Sequence, residues 1–278
     1  MQENGVRIID LSLPIDEKAK EPFPVKIKRL EHGRGGDYLG WSLAVSREKS
    51  FLEKLKGGLF YFLGKKKISR KTFPNEEFIS EERVTASVHT GTHLDAPYHF
   101  GTRCEGKEAK KIEDIPLKWC YGDGVVLDFT HKGAGESISR EDVEKALKKI
   151  NYLVKPFDIV LIYTGADQYW QEREYFFKFP GVSREATAWL VEQGAKIIGI
   201  DALGFDRPFP HMVNDYIKTG DASVLWPSHI YGREKEYCHI ERLANLGEIP
   251  KPFGFKVACF PVKIKDVGAS WIRAVAIV

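Results

Sequence analysis

VHTGTHLDAPYHF, from Val88 to Phe100, holds three of the eight histidines of the chain, His89, His93 and His99, with the carboxylate of Asp95 among them. The spacing is H-x3-H-x-D-x3-H, which places all four on odd positions. Successive side chains of an extended segment alternate faces, so an extended reading brings His89, His93, Asp95 and His99 to one side. A helix, turning about 100° per residue, pairs His89 with His93 and sends the other two elsewhere. Gly91, the threonines and Pro97 also disfavour a helix. On this reading Gly91 shares the face of the histidines, and its missing side chain leaves room for an ion or a substrate. Imidazole together with carboxylate suits Zn2+, Mn2+ or Fe2+.

One strand cannot enclose a cation, so further ligands are expected elsewhere. The segment Trp226–Leu246, WPSHIYGREKEYCHIERLANL, offers two. His229 follows Pro227 and Ser228 in a loop-like setting. Glu241 sits among Ile240, Leu243 and Leu246. A carboxylate is costly to bury alone, and a metal is one partner that offsets the cost. Cys238, beside His239, is the one cysteine to weigh as an additional ligand. Cys104, Cys120, Cys238 and Cys259 are scattered, with no C-x2-C pair. Buried, reduced thiols and a cytoplasmic setting are the expectation.

The 278 residues are 43% hydrophobic and 29% charged, with a net charge of +3, too small to make nucleic acid the main partner. The beginning, MQENGVRIIDLSLP, lacks a basic region followed by a long apolar run, so no signal peptide is expected. No apolar stretch approaches the roughly 18 residues of a membrane span. Strand candidates recur at Val6–Leu13, Val84–Val88, Gly124–Phe129, Asp158–Thr164, Lys196–Ile200, Phe255–Phe260 and Trp271–Val278. Ser139 and Ser183 are set to cap intervening helices, the second ending at Gly194. Strands alternating with helices argue for an α/β fold with a mixed sheet and flanking helices, in a single domain over residues 1–278. Gly33–Gly36 reads as a flexible turn. Phe51–Leu63 is apolar around Gly57 and Gly58, and Lys65, Lys66, Lys67, Arg70 and Lys71 follow. The region 47–83 is expected to be an inserted lid or subunit contact, with attachment to a membrane surface as the lesser alternative.

HTGTHLDAPYHF resembles the signature of the metal-dependent cyclase family, which includes bacterial kynurenine formamidase and isatin hydrolase. DLSLPI (Asp10–Ile15) is similar to that family's opening strand, and FPGVSREATAWLVEQGAKIIGIDAL (Phe179–Leu203) to its central helix and strand. HIERLANL (His239–Leu246) and GASWIRAVAIV (Gly268–Val278) resemble its closing segments. The resemblance implies a swivelling β/β/α fold in homodimers or homotetramers. It implies one divalent ion on His89, His93, Asp95 and Glu241 and a second on Asp95, His229 and Glu241, the carboxylates bridging. His99 is then the proton-transfer residue. Zinc is the expected metal and manganese the alternative. The family's substrate-side tryptophan is matched here by Phe23, without the Gly-Asp that usually follows it.

A cation of this kind lowers the pKa of water and polarises a carbonyl, while His99 can carry a proton to a leaving nitrogen. No G-x-S-x-G elbow is present to suggest a serine hydrolase. The expected activity is hydrolysis of a small amide, with N-formylkynurenine first and a cyclic amide of the isatin type or a lactone as alternatives. Trp41 and Tyr38 are further candidates for stacking on an aromatic substrate. From another class, His93, Asp95 and His229 also fit the triad of a mononuclear non-haem iron oxygenase, which leaves His89 and Glu241 unused. A metal-dependent binding protein without turnover is the third reading.

Overall fold

Apolar strands alternating with capped helices build a nine-stranded mixed sheet among the described residues. The computed structural model describes residues 5–47, 49–65 and 68–278. Numbered along the chain, the strands of this sheet are β1 (Ile8–Asp10), β2 (His93–Asp95), β3 (Tyr121–Asp128), β4 (Ile159–Tyr163), β5 (Ile197–Ile200), β6 (Cys238–Glu241), β7 (Phe253–Ala258), β8 (Ala269–Trp271) and β9 (Val275–Ile277). The helices are α1 (His32–Ala44), α2 (Phe51–Phe62), α3 (Pro97–Phe100), α4 (Arg140–Lys149), α5 (Arg184–Glu192), α6 (Phe209–Thr219) and α7 (Pro227–Tyr231).

The strand order is β1-β9-β7-β3-β4-β5-β6-β2-β8. Strands β3 to β6 run parallel, and every other pairing is antiparallel. Helix α4 lies in the β3–β4 crossover and α5 in the β4–β5 crossover, as an α/β fold requires. Ser139 caps α4 reciprocally with Asp142: the Asp142 amide donates to Ser139 Oγ (3.2 Å), and the Ser139 amide donates to the Asp142 carboxylate (2.9 Å). Ser183 Oγ accepts from the Ala186 amide at 3.1 Å and starts α5. Strands β4 and β5 are buried nearly throughout because one apolar cluster packs on each face of the sheet.

Residues 24–86 form a compact unit of their own, apart from residues 1–23 and 87–278. It contains an antiparallel hairpin of Lys26–Leu30 with Glu81–Thr85, together with α1 and α2. Asp37 pairs with Arg70 at 2.7 Å inside this unit, and Trp41 meets Tyr61 edge to face at 5.7 Å. The unit begins well before residue 47, where the insertion was expected to start. Lys66 and Lys67 of the basic run lie outside the described residues. No helix among the described residues is long and apolar enough to cross a membrane.

Two local expectations are corrected. Gly33–Gly36 is not a flexible turn but lies within α1. A Cβ on Gly35 would sit 2.5 Å from the Ile79 carbonyl oxygen, so this glycine serves close packing rather than mobility. Nor is Val88–Phe100 one extended segment. Only His93–Asp95 is strand; a turn precedes it and α3 follows. Pro97 stands in the first turn of α3, where its missing N–H costs nothing, so it starts a helix instead of preventing one. Gly91 adopts φ +62°, the left-handed region, and a Cβ there would meet the Leu13 and Pro14 carbonyl oxygens at 3.3 and 3.4 Å.

Asp201, directly after β5, ties the ends of two parallel strands. It accepts from Thr164 N (2.9 Å), Thr164 Oγ1 (2.5 Å) and Gly165 N (2.7 Å). Burial pushes its pKa up to about 7 against the hydrogen bonds from Thr164. The unfolded value is about 3.9, so the folded state holds this proton more tightly than the unfolded chain. The resulting stability is complete below about pH 4 and is lost as pH rises through about 7. Thermal melts of metal-free protein at about pH 5 and about pH 8 should therefore show a smaller drop in Tm for Asp201→Asn than for the parent chain. An equal drop would remove Asp201 as the titrating group.

Candidate metal centre

Strand register decides which side chains meet. In the antiparallel pairing of β2 with β6, His93 stands opposite Glu241 and Asp95 opposite His239, with Leu94 facing Ile240 between them. Residues two apart share a face, so all four polar side chains lie on one side of the sheet. Leu94, Ile240 and Cys238 turn to the other side and join an apolar cluster there. Cys238 is therefore not brought to the site, whereas its neighbour His239 is. All four cysteines are buried and unbridged.

Three more histidines reach this face from outside the two strands. His89 comes from the turn before β2, His99 from α3 and His229 from α7. The ring of His89 is 5.0 Å from that of His93 and 4.4 Å from that of His99. The ring of His229 is 4.5 Å from that of His239. The structure thus gathers every histidine and carboxylate expected at the site, although strand periodicity accounts for only two of them.

Hydrogen bonds fix which ring nitrogens carry protons. His93 Nδ1 lies 2.9 Å from the Gly91 carbonyl, which can only accept. The ring proton is thereby assigned to Nδ1, leaving Nε2 bare. That nitrogen faces Asp95 Oδ1 at 3.7 Å and Glu241 Oε2 at 3.5 Å. Both His93 Nε2 and Asp95 Oδ1 are buried without a hydrogen-bond partner. His89 Nδ1 approaches the same Asp95 Oδ1 at 3.1 Å. The other oxygens of the two carboxylates face the remaining histidines. Asp95 Oδ2 is 2.9 Å from His239 Nε2 and 3.9 Å from His99 Nε2. Glu241 Oε1 is 3.6 Å from His239 Nε2 and 3.8 Å from His229 Nε2, and accepts from the Phe205 amide at 2.9 Å. His229 Nδ1 contacts Asp206 Oδ2 at 2.5 Å, which orients the ring with its Nε2 pointing inward.

Burial alone would raise both carboxyl groups, but their neighbours prevail. His93 and His99 hold Asp95 well below the usual carboxylate range, and the neighbouring His93 and His239 rings bring Glu241 to about 2. Burial lowers the His99 imidazole to about 4, outweighing Asp95. Burial also opposes protonation of His229, but Asp206 lifts it to about 9. Two ionised carboxylates buried side by side require positive charge between them, which protonated imidazoles supply without a metal and a bound cation would supply in their place. The donor set therefore fits a divalent cation: hard carboxylate oxygens, borderline imidazoles, and two orphaned buried atoms, His93 Nε2 and Asp95 Oδ1, aimed at the same space.

This cluster forms one wall of a cavity of about 730 Å³, onto which His89, His99, His229 and Glu241 open. Phe23, Phe176, Phe177, Phe179, Phe209 and Trp226 line much of the rest. Phe23 is 64% exposed and available to a ligand. Tyr38 and Trp41 belong to the 24–86 unit. Two polar residues of the site were not identified from the sequence. His239 could have been found from its two-residue spacing to Glu241 in a strand. Asp206 carries no local signal; its role emerges where the loop after β5 meets α7, and it accepts there from the Ser228 amide at 2.8 Å.

The family model for cyclases matches residues 9–207. The chain belongs to the cyclase family. The match stops short of His229, His239 and Glu241, whose placement rests on the geometry above. An uncharacterized protein from Methanocaldococcus jannaschii is 32% identical over 203 residues, covering 72% of this chain and 83% of that protein. The kynurenine formamidase of Bacillus mycoides is 26% identical over 132 residues, 48% of this chain and 56% of its own length. This cyclase-family chain thus spans about half the length of the formamidases it matches. Among solved structures, isatin hydrolase A from Ralstonia solanacearum superposes with a TM-score of 0.69 at 18% identity, covering 98% of this chain and 92% of that one. That likeness shows a shared α/β fold.

Proposed function

We propose that this cyclase-family chain is a metal-dependent hydrolase of small amides, with an arylformamide such as N-formylkynurenine as the first substrate. The observation that carries the proposal is the pair of orphaned buried atoms, His93 Nε2 and Asp95 Oδ1, beneath a largely aromatic cavity. One divalent ion, zinc before manganese, would be held by His89, His93, Asp95 and Glu241. A second would be held by Asp95, His229 and Glu241. When bound, such ions supply a water of lowered pKa and polarise the carbonyl under attack. The chain's own residues do the rest. His99 keeps 33% of its side chain open, borders the cavity and, with its pKa lowered to about 4, is neutral at pH 7. It is placed to accept the water's proton and to return it to the leaving nitrogen, which leaves poorly as an anion. Phe23 and the other cavity aromatics provide flat apolar surface for an aryl group. The similarity to kynurenine formamidases supports an open-chain amide; the fold shared with isatin hydrolase keeps cyclic amides and lactones as the alternative.

Residues 24–86 are read as a cover for the site or a contact between subunits of a homodimer or homotetramer. Helix α2 exposes Phe51, Leu52, Leu55, Leu59 and Phe62, which is apolar surface that favours a partner. Four buried, unbridged cysteines support a reducing, cytoplasmic setting.

Three experiments test these assignments. Elemental analysis of variants purified without chelator should show Asp95→Ala losing most of its metal. His99→Ala should keep its metal while kcat falls by about 100-fold or more. Equal metal loss in the two variants would overturn the division of roles. In a kcat/KM comparison of N-formylkynurenine, isatin and aliphatic lactones, the formamide should be preferred. A clear preference for a lactone would reject the amide assignment and leave the metal-dependent hydrolase standing. Replacing residues 24–86 with a short Gly-Ser linker should alter KM or oligomer size, read by light scattering, with metal content unchanged. Collapse of the fold would instead make the unit part of the core.

A further inference from the structure

We propose that His239 is a protein ligand of the second cation position, so that each ion is held by two imidazoles and by one oxygen from each carboxylate. The proposal rests on the two-ion reading above and adds to it a residue that the sequence did not assign. Its basis is a chain of hydrogen bonds behind the ring. Tyr237 Oη donates to the Ser228 carbonyl at 2.8 Å, and a carbonyl can only accept. The phenol proton is thereby committed, so the same oxygen can only accept from His239 Nδ1, 3.5 Å away. The ring proton is assigned to Nδ1, and Nε2 carries a lone pair.

That lone pair points at Asp95 Oδ2, 2.9 Å away, and at Glu241 Oε1, 3.6 Å away. Both are carboxylate oxygens with lone pairs of their own. Three electron-rich atoms converging in a dry interior repel one another unless a cation lies between them. The opposite tautomer would satisfy Asp95, but it would leave Nδ1 bare against a phenol oxygen whose proton is already used. A histidine ligand that donates its other N–H into the protein is a common feature of metal sites, where the second bond fixes the tautomer and the ring orientation.

The dimensions agree. Tetrahedral bonds of about 2.0–2.1 Å place neighbouring donor atoms about 3.4 Å apart. The relevant separations are 2.9, 3.6 and 3.8 Å among Asp95 Oδ2, Glu241 Oε1, His239 Nε2 and His229 Nε2. The donor atoms of these four residues all lie within 4.8 Å of one another. The ring is also locked in place. It is fully buried, stacks on Phe205 at 4.7 Å and 15°, and meets Phe100 at 4.9 Å. The two positions are then matched: His89 and His93 with Asp95 Oδ1 and Glu241 Oε2, and His229 and His239 with Asp95 Oδ2 and Glu241 Oε1.

The test is Co2+ titration of the metal-stripped chain, followed by visible absorption and by ion count after dialysis. The wild type should bind two ions per chain. His239→Leu should bind one, with the second weakened at least about 100-fold and its share of the absorption lost. Tyr237→Phe should weaken the second ion by about 10-fold without removing it, since it only removes the acceptor behind Nδ1. Two ions bound with unchanged affinity by His239→Leu would overturn the ligand role and leave the two-ion reading standing. Loss of both ions from a folded variant would also overturn it, making His239 a positioning residue for Asp95. A wild type binding one ion or none would overturn the two-ion reading itself, and this inference with it. Thermal unfolding of the metal-free variants reports the fold, and His239→Gln, which keeps a buried polar group, gives the same ion count if His239→Leu does not fold.

Discussion

Two ionised carboxylates, Asp95 and Glu241, are buried on neighbouring strands, and the site is built around making that tolerable. A buried carboxylate without compensation costs several kcal/mol. Five histidines, His89, His93, His99, His229 and His239, each place a ring nitrogen within 4 Å of one of the two carboxylates, and together they frame the space where positive charge offsets that cost. The β2–β6 pairing supplies the geometry, since it sets His93 across from Glu241 and Asp95 across from His239. A slip of β2 by one residue against β6 would turn Leu94 toward the cavity and His93 and Asp95 into the apolar cluster behind it.

The surrounding segments hold that register in place. Thr92, just before β2, accepts from the Leu13 amide at 2.7 Å and donates to the Arg242 carbonyl. One hydroxyl thus joins the opening segment, the histidine motif and the end of β6. Arg242 itself, in the left-handed region at φ 61°, forms a buried ion pair with Glu21 at 2.5 Å. On the far side of β2, Gly268 lets α3 approach; a Cβ there would sit 2.9 Å from the His99 amide nitrogen. The proton-transfer candidate is therefore placed by a glycine at the end of the chain's last long connection, and not by the motif that contains it.

The cavity follows from the parallel half of the sheet. Ligand sites in such sheets lie beyond the carboxyl ends of the strands. The loop after β5 supplies Phe205 and Asp206 there, and β6 ends on Glu241. Asp206 orients His229 and also takes the Ser228 amide, so α7 and the loop after β5 are fixed by the same carboxylate that sets the tautomer of the histidine. The geometry of the site and the fold are maintained by the same hydrogen bonds.

By itself the sequence determined the α/β class, the two capped helices after Ser139 and Ser183, the cyclase signature and the candidate set His89, His93, Asp95, His99, His229 and Glu241. These are local properties: side-chain alternation, cap chemistry and the pairing of imidazole with carboxylate are written into short segments. The tertiary structure decided how the set is assembled. It broke Val88–Phe100 into turn, strand and helix, because left-handed Gly91 and first-turn Pro97 punctuate that segment on both sides. It also added Asp206, which no segment could reveal, and His239, whose spacing to Glu241 is local but whose partners are not. The importance of His239 depends on a strand register formed with residues 144 positions away, and that of Asp206 on a loop meeting a helix. Which residues share a face is written in the chain; which faces meet is settled only when distant strands pair.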